Sequence, residues 1–144
     1  MRKLFLTVVM AIAACTLTPE PTAPAIDTDS IAGYWSGNAV REFGAGEDPP
    51  PKVVGILIIS DCAIGDVCGK FSENGRCPGD IILQRIEGGR FSFTAETQSG
   101  TKYRCGMGNQ IIIDLTLLPD GTLSFVNHNG EIHSGILKKA GNSQ

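Results

Sequence analysis

Aromatic side chains are scarce in this chain, with one Trp, two Tyr and six Phe among 144 residues. A pocket lined by stacked rings is therefore not expected, and the many Ile and Leu suit an interior filled by its own side chains. No stretch shows the spacing of an amphipathic helix, which argues against a helical fold. Neither a run of basic residues nor a Gly-rich nucleotide loop occurs, and Gly-x-Ser-x-Gly and HExxH are absent too. These absences exclude the commonest hydrolase and nucleotide-dependent classes and leave no catalytic residue to nominate. The glycine pairs Gly88-Gly89 and Gly106-Met107-Gly108 read as turns. No CxxC pair is present, which argues against a dithiol redox centre and against structural zinc. No cofactor is expected.

What the chain does have begins at its first residues. Arg2 and Lys3 precede an apolar run from Leu4 to Ala14, which is too short to cross a bilayer as a helix. Small residues close the run just before the expected cleavage point, as in a cleaved export segment. The run closes on Ile12-Ala13-Ala14-Cys15, which resembles the bacterial lipobox. The resemblance implies cleavage before Cys15, lipid on its sulfur and acylation of the new N-terminus. Thr16 rather than Asp follows the Cys, and by the same resemblance this favours the outer membrane where the organism has one. Residues 1–14 are thus expected to be a lipoprotein signal peptide, and the protein to sit in the cell envelope.

Residues 1–14 hold two of the twelve basic residues and none of the fifteen acidic ones, so the remaining chain carries a net charge of 10 minus 15, or −5. That balance argues against nucleic acid and against anionic lipid surfaces as partners. Residues 15–30 contain three prolines and several Thr and Asp. Such a segment buries too little to fold and reads as a tether. One domain fits the rest, at about residues 31–140, with 141–144 as a tail.

Within that domain, eight stretches read as strands, at about 31–42, 52–60, 67–73, 79–86, 90–97, 110–118, 122–128 and 131–138. Phe91-Ser92-Phe93-Thr94-Ala95-Glu96 alternates clearly, and so do Ile111, Ile113, Leu115 and Leu117. Period two marks strands with one dry face. Glu87-Gly88-Gly89, Pro119-Asp120-Gly121 and Asn129-Gly130 are short turn signals, which force antiparallel neighbours. The expected fold is all-β: an eight-stranded antiparallel up-and-down meander, closed into a barrel because closure removes exposed edges. An open sandwich is the alternative.

Cys62, Cys68, Cys77 and Cys105 form an even set in an exported chain and read as disulfides. Connections in a meander alternate between its two ends. Cys62 and Cys68 flank the second connection, while Cys77 and Cys105 lie in the third and fifth, at the opposite end. A strand of about six residues is roughly 20 Å long, and bonded Cα atoms lie within about 7 Å. The expected pairs are 62–68 and 77–105. A zinc site would have to recruit His128 and His133 instead.

Gly33-Tyr34-Trp35-Ser36-Gly37 opens the first strand. A single Trp there is first of all a core plug. Gly-x-Trp at this place in an eight-stranded meander also resembles the signature of the calycins, the lipocalin and avidin type of barrel. The resemblance implies a basic side chain from the last strand over the Trp at a closed end, here Lys138 or Lys139, with Lys138 nominated. A second resemblance is to a small exported bacterial β-domain without assigned function. It rests on Gly33-x-Trp35-x-Gly37, Cys77-x-Gly79, Cys105 and Asp120-Gly121-Thr122-Leu123-Ser124-Phe125, and it supports the barrel and the 77–105 bond.

The calycin resemblance implies a mouth opposite the Trp. Arg41, Phe43, Arg76, Tyr103, Arg104 and His128 are the candidates to line it. Asp114 and Glu96 are expected on solvated strand faces, and His133 and Ser134 on opposite faces of one strand. The expected function is a non-enzymatic binding module for a small apolar ligand or another envelope component. The alternatives are a structural or protein-interaction lipoprotein with a filled barrel and, behind it, an enzyme-inhibitor barrel.

Overall fold

A computed structural model of the chain describes residues 27–42, 50–97 and 111–141. Eight strands follow in order: β1 (Gly33–Arg41), β2 (Lys52–Ile58), β3 (Val67–Glu73), β4 (Arg76–Glu87), β5 (Arg90–Thr97), β6 (Ile111–Leu117), β7 (Leu123–Asn129) and β8 (Glu131–Lys139). Each pairs with the next in antiparallel register, and β8 returns to pair with β1, so the sheet is a closed barrel. The meander expectation holds, and closure rather than a sandwich is the outcome. The first strand starts later than its apolar pattern suggested, because Thr28–Ile31 winds into a single 3-10 turn.

Alternation decides what fills the barrel. Trp35, Ile56, Phe71, Leu83, Phe91, Phe93, Leu115 and Phe125 all face inward and are buried. The rings of Phe71 and Phe125 come from non-adjacent strands and lie 6.3 Å apart between centroids, so they meet across the lumen. Burying such rings contributes roughly 1.5–3 kcal/mol each. β4 carries a register shift between Leu83 and Arg85, which returns Ile86 to the inner face opposite Phe91.

The Trp end is closed by the chain that enters it. Ile31 is fully buried, and the Trp35 indole Nε1–H donates to the Ile31 carbonyl at 2.7 Å. Thr28 Oγ1 accepts from the Cys62 amide at 3.0 Å, which ties the 3-10 turn to the loop between β2 and β3. That loop is held by the Cys62–Cys68 disulfide, the first of the two expected pairs. Cys105 and the Cys77 side chain lie outside the described residues.

Lys139, not Lys138, stands over the Trp: its ammonium is 5.5 Å from the ring centroid. Alternation explains the correction. Trp35 pairs with Lys139, so those two share the inner face, while Lys138 pairs with Ser36 on the outer one. A Cβ on Gly33 would stand 2.6 Å from Lys139 Cε, so this glycine leaves room for the Lys stem. The Gly-x-Trp spacing therefore has a packing reason of its own.

Candidate functional site

Two polar clusters stand out, one on each face of the barrel wall. The outer one crosses β5, β6 and β7. Asp114 pairs directly with Ser92. Arg90 and His128 lie diagonally from it, a distance that long side chains can span. Ser92 Oγ donates to Asp114 Oδ1 at 2.6 Å, Arg90 donates to Oδ2, and His128 Nε2 lies 3.4 Å from Oδ2. Gln84 Nε2 donates to Thr94 Oγ1 at 3.0 Å beside them. Together with Arg85, Phe93 and Ile112 these residues line an open groove of about 570 Å³.

Asp114 is buried, at 6% exposure, contrary to the solvated position expected for it. Burial pushes its carboxyl up, but the bonds from Arg90 and Ser92 and the charges of Arg90 and His128 outweigh that and hold it below its usual 3.8. Ser92 donates its hydroxyl proton in a hydrogen bond to the Asp114 carboxylate, whose lowered pKa makes it a weak base. Glu96 pairs with Asp80 and is remote from Asp114 in register, so the two do not form a carboxylate pair.

The inner cluster sits at the end away from Trp35. His133 pairs with Arg41 on β1 and with Asn127 on β7, which puts the three in one inward-facing row. The Asn127 Nδ2 amide donates to Glu73 Oε1 at 2.9 Å. β7 and β3 are not neighbours, so this bond crosses the lumen. Lys52 donates to Glu73 Oε2 at 3.2 Å, and Arg41 pairs with Glu131 at 3.0 Å. His133 Nε2 faces Glu131 at 4.0 Å. Burial and then the Lys52 charge lower the His133 pKa from 6.5, against Glu73 and Glu131, so the ring is held neutral. Among the described residues, three buried side-chain atoms have no partner: Arg41 Nε, Asn127 Oδ1 and His133 Nδ1.

Of the nominated mouth residues, Arg41 lies in this inner cluster. His128 does not: it pairs with Ile112 on the outer face and lines the outer groove. His133 is inside and His128 outside, so the two cannot share a metal. Among the described residues no group of three or more His, Cys, Asp or Glu could hold one. Phe43, Tyr103, Arg104, Cys15 and the Arg76 side chain lie outside the described residues.

Sequence reading missed Lys52, Glu73, Asn127 and His133 as inward groups. For Asn127 and His133 the cause is the last hairpin. Asn127 faces His133, and Asn129 faces Glu131, so the turn is centred on Gly130 alone. A two-residue Asn129-Gly130 turn would have aimed Ile132 inward and His133 outward. No sequence signal pointed there: Ile132 and Ile136 take the outer parity and His133 the inner one, the reverse of what their hydropathy suggests. No family model matches this chain, and no curated protein is similar to it in sequence.

Proposed function

We propose that this chain is a bacterial cell-envelope lipoprotein, held by lipid on Cys15, whose barrel is a non-enzymatic binding module. The export segment and lipobox support the anchor. By Thr16, the outer membrane is favoured where the organism has one. The chain's expected partners are the membrane and a small ligand or another envelope component, not nucleic acid. We also propose a second disulfide, Cys77–Cys105, and a lipocalin- or avidin-like barrel in the finer sense: one end closed over Gly33 and Trp35, the other used for binding. The cation–π contact of Lys139 with Trp35 supports that polarity.

One observation carries the binding reading: among the described residues, buried and incompletely partnered polar groups lie at the end away from Trp35, above a core filled by Phe71, Phe91, Phe93 and Phe125. Native proteins leave few such groups unpaired, because each costs about 1–3 kcal/mol. The filled core takes the space an apolar ligand would need, so the polar end is the better candidate. The filled-barrel interaction protein is the second reading, favoured by the outer groove around Asp114.

Intact mass of protein from its native membrane fraction tests this reading. A triacylated Cys15 N-terminus, with two hydrogens gained on reduction for each of two disulfides, is expected. Retained non-covalent mass under native spray is the mark of a binding module. An unlipidated mass removes the anchor, and adduct-free protein from every preparation favours the interaction protein.

A further inference from the structure

We propose that the inner ring of Arg41, Lys52, Glu73, Asn127 and His133 binds one small molecule carrying an ammonium or amide N–H group a few bonds from a carboxylate or carbonyl oxygen, the chemistry of an amino acid or short peptide. The inference rests on the binding-module reading and gives that site its ligand class.

Asn127 must turn its NH₂ toward Glu73, because the reverse orientation would set two acceptors against each other. Its Oδ1 is therefore an acceptor aimed into the lumen without a donor. With its pKa lowered, His133 carries one ring proton at neutral pH, and on Nε2 that proton faces the Glu131 carboxylate at 4.0 Å, the electrostatically favoured tautomer. That leaves Nδ1 as a second unpaired acceptor. Arg41 uses Nη2 on Glu131, which leaves its Nε–H as an unpaired donor. Asn127 and His133 are 1% and 5% exposed, so neither acceptor is served by bulk water.

The pattern is two acceptors and one donor along one row of cross-strand neighbours, with a step of about 5 Å between Cβ atoms. An N–H group on Asn127 and His133, with an oxygen on Arg41, satisfies all three. Charge narrows the class further. Arg41 is balanced by Glu131 and Lys52 by Glu73, so the ring has no net sign. A bare anion or cation would leave one carboxylate or one ammonium in repulsion, whereas a zwitterion or a neutral dipole does not. Beside the row, Phe125 and Val54 are fully buried and give an apolar floor.

The test is a titration of full-length, ¹⁵N-labelled lipidated protein in detergent, read by NMR. L-alanine and dialanine are the probes, with acetate and methylammonium as half-molecule controls. The expected result is saturable shifts at the Asn127 amide, the Arg41 Nε and the His133 ring, with the halves binding at least about tenfold more weakly. Tighter binding of alanine assigns a free amino acid, and tighter binding of dialanine a peptide. Arg41→Lys keeps the charge but removes the Nε donor, and should weaken the better probe roughly tenfold. Asn127→Leu should abolish binding; if it does not fold, Arg41→Lys alone decides. No saturable shift with either amino-acid probe overturns the assignment, as does a response matched by acetate alone. Adducts of another chemistry under native spray would then leave the binding module standing and only this ligand class refuted.

Discussion

Asp114 is held ionised on the outer wall by neighbours that overcome its burial, and this fixes what its loss should do. Ser92 is nearly buried and spends its hydroxyl proton on the carboxylate. Asp114→Ala strands that hydroxyl and frees Arg90, so urea unfolding should show a loss of about 1.5–3 kcal/mol, as for a hydrogen bond to a charged group. Arg90→Gln should lose less, because Arg90 is half exposed and its pair is screened by solvent. The two lowered pKa values act on the same side of the pH scale. Asp114 titrates below 3.8 in the folded protein, so its stabilisation is complete above 3.8 and fades as pH falls through the folded value. His133 titrates below 6.5, so the unfolded chain takes up a proton that the folded barrel refuses. Stability should therefore erode first as pH falls below about 6.5 and again in the carboxylate range. Denaturant midpoints at about pH 7.5 and about pH 5.5 check the first step. His133→Phe should flatten it, and an unchanged slope would assign the acid sensitivity elsewhere.

At the scale of strands and turns, the backbone approach of β2 to β3 sets a sharper limit than any side chain. Gly69 has φ of +154°, and a Cβ there would lie 1.7 Å from the Leu57 carbonyl oxygen. Gly130 has φ of +68° with open space around it. Gly130→Ala should cost about 1 kcal/mol, for the left-handed backbone alone. Gly69→Ala adds a backbone collision to that strain, and should cost more than about 3 kcal/mol or prevent closure. Melting curves of the two variants give the order. The 62–68 disulfide closes a short loop, with a sequence separation of 6. Its removal as the Cys62→Ala, Cys68→Ala pair should cost roughly 2 kcal/mol and leave the barrel folded.

Strand order and most strand limits were legible because period-two alternation and Gly or Asn turns are local signals. The 62–68 pair followed from them. Register across the last hairpin was not legible, since Asn129-Gly130 is compatible with either parity and only packing against β1 chooses. His128 was therefore assigned to the mouth, and Asn127 and His133 were not. The Lys138 nomination failed for the same reason: adjacent lysines differ only in parity.

For the whole molecule, the barrel's closed end is made by the short segment that leads into β1. Asp27 caps the 3-10 turn, Thr28 holds the Cys62 amide, and Ile31 fills the end and accepts from Trp35. A chain starting at residue 27 keeps every one of these contacts and serves as the reference in urea. A chain starting at residue 33 loses the buried Ile31, worth roughly 1.5–3 kcal/mol, and strands the buried indole N–H, worth about 1–3 kcal/mol. It should lose about 3–5 kcal/mol altogether, a large part of what holds a domain of this size. Trp35 is the only Trp, so its fluorescence reads the result directly. The chain from 33 should emit at longer wavelength before any denaturant is added, as water enters the opened end. Equal emission and equal midpoints for the two truncations would mean that the 3-10 turn merely rests on the barrel, and that strand closure through the β1–β8 pairing is sufficient by itself.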